Sequence, residues 1–243
     1  MAGHSKWANI KHRKSRQDAV KGKIFTKLIR EITVAARDGS EVEMNSKLRL
    51  AIDRALAQNM SRDTIDRAIK RGAGGEENTV LEEVIYEGYA PGGVAVLVEC
   101  LTDNKNRTVG EVRHTFAKCG GNLGTTGSVA YLFKLCGLFY FLPNNDEEKI
   151  SSIAIDNGAE DIIINEDASI EIITSRDNFV AVKSALAEAS LKPEIAELTM
   201  VASTQITLDG DASARVMALA DALEALDDVQ NVHTNTSLAE NNI

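Results

Sequence analysis

The sequence is poor in the residues that mark several classes of protein. Its 243 residues include three prolines, three cysteines and one tryptophan. An odd number of cysteines (Cys100, Cys119 and Cys136) favours a reducing compartment over a disulfide framework. No apolar run approaches the roughly 18 residues that span a bilayer, and the N-terminus lacks the apolar segment of a secretory signal. We therefore expect a cytoplasmic protein with no membrane partner, although an organelle transit peptide also has a basic leader that is poor in acids.

Acidic residues are scarce at the N-terminus, where the first thirty residues contain nine lysines and arginines against one acid, Asp18. The single tryptophan, Trp7, lies inside this basic run. Residues 1–75 carry 17 basic and 8 acidic side chains, whereas residues 76–243 carry 10 basic and 28 acidic ones. This asymmetry predicts that the N-terminal part binds a polyanion and that the acidic remainder keeps the protein soluble.

Residues 1–20 have no apolar periodicity, which predicts a flexible basic arm. Three amphipathic helices follow. The first runs from Lys21–Lys23 to about Arg37, with Lys27 and Arg30 opposite its apolar side. The second begins after Asn45 or Ser46, and the third is capped by Ser61. The glycine-rich residues 72–75 are interpreted as the linker that closes a three-helix bundle over residues 21–75.

Beyond residue 80 the pattern changes to strands. Residues 81–86, 94–101 and 128–133 are predicted as strands, with a helix over 106–118. From residue 137 onward the order is β-α-β-β-α-β, which is ferredoxin-like. The last helix and strand cannot bury their own faces, so we expect them to return to the earlier unit. The predicted fold is α+β with three domains: a bundle, a discontinuous α+β domain (80–133 plus 203–238), and a ferredoxin-like domain inserted in it (135–202).

No motif of a known catalytic or metal site is present. There is no nucleophile elbow, no zinc-protease helix signature, and no second ligand at metal spacing near His4 or His12. His114 and His233 are interpreted as surface or packing histidines. The glycine-rich loop Gly120–Ser128 is interpreted first as a turn, with phosphate binding by its backbone N–H groups as the alternative. We therefore predict a protein that is not an enzyme and has no metal or cofactor, the alternative being an enzyme with an unrecognised site in the α+β domains.

Long stretches of the sequence resemble the YebC/PmpR family, to which the mitochondrial translational activator of cytochrome c oxidase is related. The resemblance lies in GHSKWANIKHRKSRQDAVKGKIFTKLIREIT at the N-terminus, in YEGYAPGG from Tyr86, in LVECLTDNKNRT from Leu97, and in GGNLGTTGSVAYLF from Gly120. Ala90 stands where the family usually has glycine, and Cys119 and Cys136 replace residues that are more often polar.

The resemblance implies a cytoplasmic, non-enzymatic protein with nucleic-acid partners. It points to promoter DNA for a transcription regulator, or to ribosomal RNA and transfer RNA for a ribosome-associated translation factor. The site residues that it implies in this chain are Lys6, Trp7, Lys11, His12, Arg13, Lys14, Lys21, Lys23, Lys27 and Arg30. Trp7 is consistent either with stacking on a base or with packing back on the bundle.

No symmetric helix-turn-helix dimer or groove-reading helix is evident, and an acidic remainder would be repelled by flanking duplex. The charge layout therefore slightly favours ribosomal RNA over promoter DNA. We expect a monomer with no small-molecule substrate.

Overall fold

The computed structural model describes residues 21–74, 81–208 and 210–237. Its helices, in chain order, are α1 (Lys21–Ala35), α2 (Ser46–Ala57), α3 (Arg62–Gly72), α4 (Lys105–Lys118), α5 (Glu147–Asp156), α6 (Phe179–Glu188) and α7 (Gly210–Glu224). Its strands are β1 (Glu82–Tyr89), β2 (Ala95–Thr102), β3 (Asn122–Leu123), β4 (Phe133–Phe141), β5 (Ala159–Ile164), β6 (Ile170–Ser175), β7 (Ile195–Ala202), β8 (Ile206–Thr207), β9 (Val229–Thr234) and β10 (Thr236–Ser237).

Helices α1, α2 and α3 form the N-terminal bundle around a core of small and aliphatic side chains. Helices α2 and α3 both have N-terminal caps: the Asn45 side chain accepts a hydrogen bond from the Leu48 N–H, and Ser61, as predicted, accepts one from the Thr64 N–H. Such caps satisfy backbone N–H groups that have no partner within the helix. The fully enclosed core comprises Leu28, Ile32, Ala35, Ala36, Leu48, Ala51, Ala55, Met60, Ile65 and Ala68.

Gly72 ends α3 where that helix crosses α1. A Cβ atom at this position would meet the Thr33 carbonyl oxygen and lie 2.7 Å from the Ala36 Cβ. Gly72 is therefore required for close helix packing, and the interpretation of residues 72–75 as a linker is wrong for its first member.

The first sheet is formed by two stretches of the chain that the predicted insertion separates in sequence. Its strand order is β3-β1-β2-β9, so the last long strand of the chain pairs with β2, antiparallel, with Val96 opposite Thr234. Helices α4 and α7 cover one face, where Phe116, Val216 and Leu219 are buried among the strand side chains. The α+β fold class, with a second unit inserted between β3 and α7, is confirmed.

The inserted unit is a βαββαβ sheet of order β5-β6-β4-β7, antiparallel throughout, as in ferredoxin-like domains. Helices α5 and α6 pack on the face that presents Phe139, Phe141 and Ile172, and ring stacking between Phe139 and Phe179 joins α6 to the sheet. Because side chains alternate along a strand, Cys136, Leu138 and Tyr140 lie on the opposite face.

The predicted strand at 128–133 is wrong. Residues Ala130–Leu132 form a 3-10 turn, and the strand predicted from residue 138 starts at Phe133 instead. The third strand of the first sheet is the two-residue β3, which follows α4 directly and pairs with Gly88 and Tyr89 of β1.

The bundle contacts the inserted unit through α2. The Lys183 ammonium lies 3.2 Å from the Asp53 carboxylate, and Leu50 packs against the core formed under α5 and α6. Arg54 donates to the Leu198 carbonyl oxygen (3.3 Å) and to Glu31 (2.8 Å). Helix α2, a member of the bundle, thus also contacts strand β7 of the inserted unit.

Candidate nucleic-acid interface

The predicted binding residues divide into three groups by position. Lys6, Trp7, Lys11, His12, Arg13 and Lys14 lie outside the described residues. Lys21 and Lys23 belong to α1, but their side chains also lie outside the described set. Lys27 and Arg30, further along α1, are described in full, and both bond to the C-terminal part of the chain.

Lys27 and Arg30 connect α1 to the turn between α7 and β9. The Lys27 ammonium donates to the carbonyl oxygen of Glu224 at 3.0 Å. Glu224 is the last residue of α7, where carbonyl groups lack helical partners and the helix dipole favours a cation. Arg30 Nη1 donates to the Asp227 carbonyl oxygen (2.7 Å) and to Asp228 Oδ1 (3.0 Å). These two side chains therefore orient the helix, and their predicted role in nucleic-acid binding stays a prediction.

Asp228 is the centre of this connection, and its side chain is 3% exposed. Its second oxygen, Oδ2, accepts hydrogen bonds from Thr102 (3.0 Å), Arg107 (2.7 Å) and Thr108 (2.8 Å). Burial alone would raise the pKa of Asp228, but the hydrogen bonds from Arg107, Thr108 and Thr102 outweigh burial and lower it. Asp228 is therefore held as a carboxylate. We call Arg30, Thr102, Arg107, Thr108 and Asp228 the Asp228 cluster.

The stretch LTDNKNRT builds most of the receiving side of this cluster. Asn104 caps α4 by accepting from the Arg107 N–H at 3.0 Å, which sets the first turn of the helix. Thr108 then lies beside Thr102, with 2.7 Å between the hydroxyl oxygens, and Arg107 also pairs with Asp103. The turn from β2 into α4 thus places the donors Thr102, Arg107 and Thr108 around one carboxylate. Sequence reasoning missed Asp228 because nothing local distinguishes it from its acidic neighbours.

Arg37 makes a third connection from the bundle. Its Nη1 donates to the Leu81 carbonyl oxygen, just before β1, at 2.7 Å. Lys27, Arg30 and Arg37 thus all bond to parts of the discontinuous domain. The bundle is therefore attached at both the first and the last strand of that domain's sheet.

The glycine-rich loop after α4 is occupied by a carboxylate of this chain. Glu87, 4% exposed, accepts hydrogen bonds from the backbone N–H groups of Gly127 (2.6 Å), Val129 (2.7 Å) and Ala130 (2.7 Å). Burial would raise the pKa of Glu87, but these three hydrogen bonds lower it. Phosphate binding by the backbone N–H groups of the loop is therefore not supported, because Gly127 donates to Glu87 and the N–H groups of Gly120, Gly121, Gly124 and Ser128 donate to backbone carbonyl oxygens.

His233 is a packing histidine, as the sequence suggested. It is 7% exposed, and its Nε2 lies 3.2 Å from a carboxylate oxygen of Glu99, which also accepts from Asn231. Burial would raise the pKa of Glu99, but His233, Asn231 and the positive charge of Arg54 lower it. This group joins β2 to β9 next to α2.

The basic side chains of α3 are exposed. Arg67 pairs with Asp63 one turn earlier, but both side chains are more than two-thirds exposed, so the pair contributes little stability. Lys70 also faces solvent.

Within the described ranges, no group of three or more His, Cys, Asp or Glu side chains is placed to hold a metal ion. No helix in the same ranges is long and apolar enough to cross a membrane.

Comparison with known proteins covers almost the whole chain. The profile described as TACO1/YebC protein N-terminal domain matches residues 5–75, and the profile described as TACO1/YebC second and third domain matches residues 81–236. A probable transcriptional regulatory protein of Coxiella burnetii is 59% identical over 99% of both chains. The transcriptional regulatory protein PmpR of Pseudomonas aeruginosa is 57% identical over 99% of this chain and 97% of its own.

A solved structure is also similar. The crystal structure of a conserved hypothetical protein from Aquifex aeolicus superposes with a TM-score of 0.81 at 46% identity, covering 92% of this chain and 93% of the other. Together with the two profiles, these relatives show that the chain belongs to the TACO1/YebC family.

Proposed function

We propose that this protein is a non-enzymatic regulator of gene expression that binds nucleic acid through its basic N-terminal residues. The observation that carries the proposal is the charge layout: 17 basic against 8 acidic residues up to residue 75, followed by 10 against 28. The names of the relatives in Coxiella burnetii and Pseudomonas aeruginosa, which describe transcriptional regulatory proteins, support the same class.

The Asp228 cluster supports this proposal by fixing the direction of α1. Residues 1–20 immediately precede α1 in the sequence, and the bonds of Lys27 and Arg30 fix the orientation of this helix on the discontinuous domain. Pre-organising the helix that carries the basic segment lowers the entropic cost of binding. In this account Lys27 and Arg30 position the contact, and Lys6, Lys11, Arg13 and Lys14 make it, with Trp7 stacking on a base.

Two kinds of nucleic acid are compatible with this contact. The relatives' names favour promoter DNA. The strongly acidic α+β domains favour a partner that the basic segment enters while those domains stay outside, because a long duplex alongside them would be repelled. A cavity lined by ribosomal RNA and transfer RNA fits that requirement better than an open promoter. We therefore place ribosome-associated action slightly ahead of promoter binding.

An enzyme with an unrecognised site is the remaining alternative. Two of the buried carboxylates in the described residues, Glu87 and Asp228, accept several hydrogen bonds from donors of this chain. A carboxylate saturated by internal donors is a poor general base. This observation favours the regulator.

The experiment that tests the proposal combines fractionation with crosslinking. Cell extracts are separated on sucrose gradients, and a photo-crosslinking residue replaces Ala8, inside the basic segment. Co-migration with ribosomes and crosslinks to ribosomal RNA would establish the translation account. Footprints on defined promoters at physiological salt, with no ribosomal crosslink, would establish the transcription account. No crosslink to either nucleic acid would overturn the proposal.

A further inference from the structure

The two edges of the inserted sheet are in different environments. Its strand order is β5-β6-β4-β7, so β5 and β7 are the edge strands. The bundle covers part of the edge at β7, because Arg54 of α2 donates to the Leu198 carbonyl oxygen at 3.3 Å. At the other edge, Glu160, Asp161 and Ile164 of β5 are exposed. Strand β5 therefore has β6 on one side and, among the described residues, no strand on the other.

The hydrogen bonds of β5 show which of its backbone groups point away from β6. The Asn165 N–H donates to the Ser169 carbonyl oxygen at 2.9 Å, so Asn165 bonds towards the β6 side. Because the direction of hydrogen bonding alternates along an antiparallel strand, Ile163 likewise bonds towards β6, whereas Ile162 and Ile164 direct their N–H and C=O groups outward. Outward groups of this kind are a template for a further strand.

The sequence of β5 does little to prevent such pairing. Natural edge strands commonly carry lysine, proline or a bulge that blocks a further strand. The register of β5 shifts at Glu160, so a bulge protects only its first residues. Ile162, Ile163 and Ile164, which follow, form an apolar run without lysine or proline. This part of β5 can therefore accept a partner strand.

Helix α5, which packs against β5, adds apolar surface beside this edge. Lys149 donates to the Ala189 carbonyl oxygen just beyond α6, so the Lys149 flank of α5 faces α6. Relative to the buried Ile150, Lys149 lies about 100° to one side and Ile155 about 140° to the other, which places Ile155 on the flank next to β5. Ile155 is 63% exposed and Ile164 is 50% exposed. An added strand would meet apolar side chains from both elements.

The charge around this edge determines the kind of partner that it selects. Residues 142–167, which include α5 and β5, contain eight acidic side chains and one basic side chain, Lys149. Glu148 lies on the same flank of α5 as Ile155, Asp161 lies on β5, and both carboxylates are exposed. Nucleic acid and a second copy of this segment are both anionic and would be repelled. The edge therefore selects an extended peptide with basic and apolar side chains.

We propose that the outer edge of β5 is a docking site for an extended basic segment of another protein, which adds to the sheet as a further strand. The backbone of Ile162 and Ile164 bonds to the segment, Ile155 contacts its apolar side chains, and Glu148 and Asp161 attract its cations. Proteins that bind nucleic acid often carry basic segments, so docking would join the acidic domains to a protein on the same nucleic acid. That consequence rests on the proposed function, whereas the docking itself does not.

A labelled peptide measures the docking directly. The probe is a nine-residue peptide in which lysine and valine alternate, and its fluorescence anisotropy is followed during titration with the full-length protein. We expect saturable binding that weakens as salt is added. A control peptide with glutamate in place of lysine should bind at least tenfold more weakly.

N-methylated peptides separate strand pairing from general attraction between charges. Methylation removes backbone donors and leaves the charge of the peptide unchanged. One isomer is methylated on its lysine residues and the other on its valine residues. Because an added strand bonds to β5 through only one of these alternate sets, one isomer should lose at least tenfold in affinity and the other should stay within threefold of the unmodified peptide. Equal loss or equal retention overturns the pairing.

Variants of the protein test the same contact from the other side. Ile164→Pro removes an outward N–H group and no bond to β6, and we expect at least a tenfold loss of peptide affinity. If melting shows that this variant is unfolded, the N-methylated peptides decide the question on the parent protein.

Charge reversal provides a second variant with a matched control. Glu148→Lys plus Asp161→Lys should lower the peptide affinity at least fivefold. The control, Asp66→Lys plus Glu111→Lys, makes the same change of net charge at exposed residues of α3 and α4 and should leave the affinity within twofold. No binding by the parent protein, or equal binding by the reversed and control variants, overturns the docking.

Two further measurements test the other occupants. A parent dimer in sedimentation that Ile164→Pro abolishes would overturn the docking in favour of a second copy. A threefold loss of affinity for a single-stranded RNA 20-mer in Ile164→Pro would overturn it in favour of nucleic acid. Failure of the parent protein to bind RNA at all would overturn the proposed function and leave the docking in place, because peptide binding is measured without RNA.

Discussion

Arg30 of the first helix donates to Asp228, 198 residues later in the chain, across 3.0 Å. The two residues depend on this bond to different degrees. Asp228 retains Thr102, Arg107 and Thr108 as donors if Arg30 is removed, whereas Arg30 and Arg107 both lose this carboxylate if Asp228 is removed. The bundle is therefore attached to the discontinuous domain by a bond that the domain itself does not need.

This asymmetry predicts an order of stability for two variants. Asp228→Asn removes the charge that Arg30 and Arg107 share, and we expect it to lower the free energy of unfolding by about 2–4 kcal/mol. Arg30→Ala leaves Asp228 satisfied, and we expect a loss of about 1 kcal/mol. Urea unfolding followed by circular dichroism measures both, with Asp156→Asn as an exposed control. Equal losses for the two variants would contradict the asymmetry.

Glu87 predicts a specific pH dependence. Its pKa is lower in the folded than in the unfolded chain, so its contribution is present above about pH 5 and is lost as the pH falls through the folded value. Glu87→Gln offers one oxygen to three N–H donors, and we expect a loss of about 1–3 kcal/mol at pH 7. The difference from the parent should shrink at pH 3.

Urea midpoints at both pH values test the Glu87 prediction. Glu83→Gln, an exposed change on the same strand, serves as the control and should leave the midpoint unchanged at either pH. A constant difference between the Glu87 variant and the parent from pH 7 to pH 3 would show that the carboxylate charge is not what holds the loop.

Two helical glycines provide a matched pair for packing. Gly72→Ala forces α3 away from Thr33 and Ala36 of the α1 region, which we expect to cost about 1–3 kcal/mol. Gly110→Ala, within α4, meets nothing within 4 Å and should stabilise the protein by about 0.5–1 kcal/mol through helix propensity. Thermal unfolding of both variants should therefore shift in opposite directions, and a stabilised Gly72→Ala would contradict the close crossing.

The predicted binding residues can be separated by charge reversal. Changing Lys11, Arg13 and Lys14 to Glu should abolish binding to nucleic acid and leave the melting temperature nearly unchanged. Each phosphate group that the variant no longer neutralises should also reduce the slope of log K against log salt by about 0.7–0.9. Changing Lys27 and Arg30 to Glu should lower the melting temperature as well, because Glu224 and Asp228 lose their partners on α1. A loss of stability in the first variant would mean that those residues are structural.

Local patterns were enough to predict much of the fold. The cap at Ser61, the ferredoxin-like order and the return of the last strand follow from local pattern and from the need of a lone helix and strand for a partner. The turn at residues 130–132 was missed because Glu87, some forty residues earlier, holds it. A β-rich run of sequence does not reveal a contact at that distance.

The site was less predictable for the same reason. The basic side chains on one side of α1 predicted an anionic partner without identifying it. In the structure, Lys27 bonds to the end of α7 and Arg30 bonds to Asp228. Whether an exposed or a buried anion meets a given lysine or arginine depends on segments that are distant in sequence. Glu224 and Asp228 lie among many acidic residues, and only the fold distinguishes them.

The order of the first sheet has a consequence for synthesis on the ribosome. Strand β2 acquires its second neighbour only when β9 emerges, after the bundle and the inserted unit have been translated. Because domains generally fold as they leave the exit tunnel, the bundle and the ferredoxin-like unit fold before the first sheet is complete. A nascent chain halted before residue 229 leaves the backbone N–H and C=O groups along this edge of β2 unpaired, which makes the edge a template for pairing with another chain.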